Sequence, residues 1–118
     1  FKSENLKSED YIKCKHPAHT SLFIKKKIFN KFGLYNTNLK IASDFEFMLR
    51  VYGINKVHSK YINKTFVVMR TGGTSNKNLF NIILSNYEVY KSFKINSMRA
   101  NIFLILKKIL SKISQISF

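Results

Sequence analysis

The chain has 118 residues, 45% of them hydrophobic and 14% aromatic, which is ample material for one core and short for two. It carries 21 basic residues against six acidic ones, for a net charge of +15, and a single cysteine, Cys14. An intramolecular disulfide and a cysteine-rich zinc site are therefore excluded, and no apolar run approaches the roughly 20 residues that a bilayer crossing needs.

The first 15 residues are polar with little periodicity and read as a loop. His16-Pro17 follows, where the proline restricts the residue before it, and leads into Leu22-Phe23-Ile24, an apolar run suited to a short strand. His16 and His19 stand three apart, but no third donor lies near enough in sequence to complete a metal site. Residues 24–32 place Ile24, Ile28, Phe29 and Phe32 on one face of a helix that Gly33 can end, with Lys25-Lys26-Lys27 as its solvated side. A polar loop connects it to residues 41–50, which hold Asp44 and Glu46, the only carboxylates between Asp10 and Glu88. Ser43 and Glu46 have capping-box spacing, so a helix is predicted from Ser43, with Phe45, Met48, Leu49 and Tyr52 on one face and Gly53 at its end.

Two extended segments are predicted over residues 56–62 and 65–70. The second is β-branched and apolar and reads as a buried strand. Thr71-Gly72-Gly73-Thr74-Ser75 is then a glycine-rich loop whose backbone amides can approach a ligand closely. Residues 79–93 form a helix with Leu79, Ile83, Tyr87 and Tyr90 aligned. The last helix carries Met98, Ile102, Leu106, Ile109, Ile113 and Ile116 as one apolar stripe, expected to pack on the domain. Lys107, Lys108 and Lys112 flank that stripe, which also suits anionic lipid.

The high charge points to an anionic partner. Eighteen of the 21 basic residues are lysine, however, with arginine only at Arg50, Arg70 and Arg99. Arginine is the residue suited to bidentate phosphate and guanine recognition, so its scarcity argues against nucleic acid.

In order, the chain offers a histidine in an extended segment, a carboxylate in the first turn of a helix, and a Gly-Gly loop. A carboxylate at a helix start stays ionised and can accept a hydroxyl proton, as a general base acting on an alcohol must. His19-Thr20-Ser21-Leu22-Phe23-Ile24, then Phe32-Gly33-Leu34-Tyr35, Ile41-Ala42-Ser43-Asp44-Phe45-Glu46 and Met69-Arg70-Thr71-Gly72-Gly73-Thr74-Ser75 together resemble the C-terminal half of family-2 glycosyltransferases, which build bacterial polysaccharides and lipopolysaccharide antigens.

The resemblance implies an α/β chain, the C-terminal part of a GT-A fold with a few short strands. Residues 1–78 would be its acceptor-side, base-bearing part and residues 79–118 a basic amphipathic helical region. It implies inverting transfer from a nucleotide-diphospho-sugar donor to a glycan or lipid-linked acceptor, with Asp44 as general base. His19, Glu46, Arg70, Gly72, Gly73 and Ser75 would lie against the substrates. A divalent metal, Mg or Mn, would stabilise the departing diphosphate, but its Asp-any-Asp motif does not occur in these residues, so the resemblance implies a partial enzyme, inactive alone. The expected location is the cytoplasm, at the inner face of the membrane through residues 98–118. The competing reading is a small basic module that binds nucleic acid or anionic membrane.

Overall fold

Helices joined by extended links make up residues 4–70 and 78–116, the residues described by the computed structural model. In chain order they are α1 (Ser8–Ile12), a 3₁₀ turn (His19–Ser21), α2 (Lys26–Phe32), α3 (Ser43–Met48) running into a π-helical segment (Leu49–Ile54), α4 (Leu79–Ile95) and α5 (Ile102–Ile116).

The expected α/β architecture is overturned, and the GT-A fold with it: there is no strand among the described residues. Residues 65–70, read as a buried strand, are exposed throughout, Val68 to 90%. The reason lies in pairing. A strand needs a ladder partner, and the neighbouring segment offers only single side chains, such as Phe23 against Phe66 at 5.6 Å. The first 15 residues, expected to be irregular, instead hold α1, whose start is fixed by Asp10 accepting from the Lys7 amide at 2.8 Å.

The polypeptide is built around α3. Phe45, Phe47, Met48, Leu49 and Val51 are each no more than 2% exposed, so α3 and the π-helical segment after it carry two apolar faces that must both be covered. One face, Ala42, Phe45 and Leu49, packs with Val89 and Phe93 of α4 and Ile105 of α5. The other, Phe47, Met48, Val51 and Tyr52, meets Tyr11 of α1, with Ile28, Phe29 and Phe32 of α2 laid against it. Both halves of the sequence therefore share one central helix.

Gly33, with φ of 82°, ends α2 and donates to the Phe29 carbonyl at 2.9 Å. Gly53 was expected to end the next helix, but lies within the π-helical turn, where the Asn55 amide donates to the Arg50 carbonyl five residues back at 3.2 Å. A Cβ at Gly53 would come within 3.2 Å of Tyr11 Cβ, so the glycine is what lets α1 approach this closely.

The buried face of α4 is Ile82, Asn86, Val89 and Phe93 rather than the aligned Leu79, Ile83 and Tyr87, which are each more than half exposed. Because the apolar positions of α4 spread over a wide sector of the helix, periodicity alone does not select a face. Two of its buried polar groups are satisfied locally: Asn86 Nδ2 donates to the Ile82 carbonyl and Ser92 Oγ to that of Glu88, both at 2.7 Å. Likewise α5 packs through Ile105 and Ile109 and leaves Ile102 and Leu106 half exposed. No helix among the described residues is long and apolar enough to cross a membrane.

Candidate functional site

The site is assembled around the start of α3. The expected capping box does not form: the residue before the helix is Ala42, no side chain caps it locally, and Glu46 turns elsewhere. The start is held instead from α4. Glu88 is 4% exposed, and its carboxylate accepts from the backbone amides of Lys40 (2.7 Å), Ile41 (2.7 Å) and Ala42 (2.8 Å). Three convergent N–H groups form an anion cradle, and here the anion is the protein's own. Sequence reasoning missed Glu88. The available signal was the lone carboxylate of a helix with a wide apolar face, which has to find donors if it is buried.

Glu46 is 1% exposed. Arg50 holds it through Nε to Oε1 at 3.0 Å and Nη2 to Oε2 at 3.2 Å, and Asn96 Nδ2 donates to it at 3.1 Å. The same guanidinium donates to the carbonyls of Phe32 and, at 2.9 Å, Leu34, tying the end of α2 to α3. These contacts are internal. Glu46 is buried with both oxygens engaged inside the fold.

Asp44 differs from both. Its Oδ1 accepts from the Phe45 amide at 2.8 Å, which fixes the carboxylate plane, and Oδ2 lies 3.2 Å from His19 Nδ1. The side chains are 26% and 56% exposed respectively, so the pair is open to solvent while one carboxylate oxygen is already oriented. His19 opens a 3₁₀ turn that follows Pro17, and Ser21 closes it by donating Oγ to the Ala18 carbonyl at 2.8 Å. Thr20 donates to Met69 Sδ at 3.2 Å, so the chain just before the glycine loop passes beside this turn. Arg70 is exposed there. Gly72, Gly73 and Ser75 lie outside the described residues.

His16 sits behind the pair, its ring edge-on to Phe45 at 5.5 Å and Nδ1 3.0 Å from the Pro17 carbonyl. Burial pushes its pKa below the ordinary value, opposed by the Pro17 carbonyl and Asp44 and reinforced by Lys108 and Lys112. The folded state therefore prefers the neutral ring. Its contribution to stability is complete above the unfolded value of 6.5 and is lost as pH falls from there through the lower folded value. Thermal melting followed between pH 7.5 and pH 5 should show this loss, and His16→Gln should flatten the slope; an unchanged slope in the variant would place the titrating group elsewhere.

Among the described residues no three His, Cys, Asp or Glu side chains gather as metal donors. His19 and Asp44 supply two and no third, so the described residues do not fit the divalent metal that the resemblance implies. Comparison with protein-family models, with curated proteins and with solved structures finds no match to this chain.

Proposed function

We propose that this chain is the acceptor-side part of an inverting glycosyltransferase that draws on a nucleotide-diphospho-sugar, with Asp44 as general base. The observation that carries the reading is the division of labour among the carboxylates around α3. Glu88 and Glu46 are buried and engaged by backbone amides and by Arg50, whereas Asp44 is solvent-accessible and keeps Oδ2 directed at His19. In the proposed step, Oδ2 takes the proton of the acceptor hydroxyl as that oxygen bonds to the anomeric carbon, and the bond from that carbon to the diphosphate breaks. The proton remains on Asp44, from which His19, within hydrogen-bond reach, passes it to solvent. The order and spacing of the blocks around His19, Phe32-Gly33, Asp44 and Met69-Arg70 support the same chemistry. A glycan or lipid-linked acceptor fits an open site, and the single cysteine fits a reducing, cytoplasmic setting.

Fused behind a sugar-nucleotide-binding half, the chain should transfer sugar. Asp44→Asn should then lower turnover by about a hundredfold or more while donor binding stays intact, since general-base catalysis contributes at least about that factor. Turnover within a few-fold of the parent would remove Asp44 from the mechanism.

A second reading, a basic module for anionic membrane, is favoured by one observation: α5 turns Phe103 (85% exposed), Leu110 (67%) and Leu106 outward beside lysines. Vesicle binding that is unaffected by Asp44→Asn, with no transfer by the fused chain, would favour it.

A further inference from the structure

The inner face of α5 is basic where it meets the site. Ile105 and Ile109 dock into the cluster formed by Ala42, Phe45 and Leu49, with Cys14 packed against the same cluster. Lys108 stands beside Ile109, and Lys112 one turn further on occupies the same face. Lys108 lies within Coulombic reach of Cys14, His16 and Asp44, and Lys112 within reach of Lys108 and His16.

Both lysines are half-buried. Among the described residues the ion pairs are His19 with Asp44 and Arg50 with Glu46, and neither includes Lys108 or Lys112. Drawing an ammonium out of water without a matched anion is costly, and the cost appears as a Lys108 pKa below its ordinary value. Burial is the main cause, only partly offset by Cys14 and Asp44. Burial also lowers Lys112, and Lys108 lowers it further. Of these two neighbouring lysines only Lys108 has a carboxylate, Asp44, within Coulombic reach, which leaves positive charge uncompensated.

We propose that Lys108 and Lys112, gathered by α5 next to His16 with Lys108 near Asp44, form a subsite for a diphosphate group of the substrate. The subsite deepens the transferase reading, on which its role in catalysis rests, by placing the diphosphate on the α5 side of Asp44. Lysine ammonium groups bind phosphate as mobile point charges, and here they are already partly stripped of water. The diphosphate belongs either to a nucleotide or to a prenyl-type lipid, and both present the same group to the lysines.

The test is calorimetric titration of the whole chain in about 0.15 M salt, where charges on the open surface are screened beyond about 8 Å. The probes are inorganic pyrophosphate, uridine diphosphate and geranyl diphosphate. The chain should bind pyrophosphate, and Lys108→Gln/Lys112→Gln should weaken binding by at least about tenfold, a difference of about 1.4 kcal/mol. Lys26→Gln/Lys27→Gln, which removes the same charge from the exposed side of α2, should change it by less than about twofold. Lys108→Arg/Lys112→Arg should retain binding, and the glutamine variant should melt no lower than the parent, because it removes buried charge.

Failure of the parent to bind pyrophosphate overturns the proposal. So does an equal loss in the α2 control, or a glutamine variant that binds like the parent. Tighter binding of the uridine compound than of pyrophosphate supports a nucleotide source, and tighter binding of the geranyl compound supports a lipid one. Asp44→Asn should lower transfer by the fused chain about a hundredfold or more yet preserve or strengthen pyrophosphate binding. The base assignment and the subsite therefore fail separately.

Discussion

Glu88→Ala is expected to be the most damaging single substitution in the chain. It leaves the amides of Lys40, Ile41 and Ala42 without their acceptor, and the Ala42 amide is buried. Hydrogen bonds to an ionised group are each worth about 1.5–3 kcal/mol, and removing one side of a buried charged network costs roughly 3–5 kcal/mol. Against a total stability of about 5–15 kcal/mol for a domain of this kind, that loss lowers the melting temperature by more than about 10 °C. Glu88→Gln should fall between the parent and the alanine variant, because one oxygen of the cradle becomes a donor facing donors. Circular dichroism melts of the three proteins check the order. An alanine variant that melts within about 3 °C of the parent would show that these amides find water or another acceptor at little cost.

Arg50→Ala comes next. Glu46, whose side chain is 2% exposed, would keep only the Asn96 amide as partner, and the carbonyls of Phe32 and Leu34 would lose their donor. Leaving a buried carboxylate without its cation costs roughly 3–5 kcal/mol, in contrast to the near-zero value of an exposed pair. Arg50→Lys should recover only part of the loss, since an ammonium cannot engage Glu46 and two carbonyls in one plane. Adding Glu46→Gln to Arg50→Ala should make the protein more stable than Arg50→Ala alone, because a neutral amide needs no counter-charge. Urea midpoints for the single and double variants measure that coupling, and strict additivity would mean that the two side chains act independently.

The helices were legible where their signals were local. Gly33 marks the end of α2, α3 begins at Ser43, and the apolar positions read for α4 and α5, apart from Met98, lie within helices, because helix-ending glycines and periodicity act over a few residues. Features decided by distant partners were not legible. The β-branched run at residues 65–70 states a strand propensity, but strand formation depends on an edge to pair with, and none is present among the described residues. The buried faces of α4 and α5 were misassigned because the apolar sector of each helix is wider than the part that packs. Ser43 and Glu46 have the spacing of a capping box, yet Arg50, one turn beyond Glu46, is the stronger partner. At the site, Asp44 and His19 were singled out by their chemistry and stand 3.2 Å apart. Lys108 and Lys112 were read only as flanks of a stripe, since nothing in their own neighbourhood shows that α5 brings them near His16.

The Glu88 contacts join residues 46 to 48 positions apart in the chain. Closing so long a loop is entropically unfavourable before any contact rewards it, so this junction belongs to the late, non-local part of folding. During vectorial synthesis the segment leading into α3 emerges well before its acceptor, and the Lys40, Ile41 and Ala42 amides stay hydrated until residue 88 has left the ribosome and α4 has docked. The orientation of Asp44 is therefore a product of the completed fold, and a nascent chain acquires it only once α4 is in place.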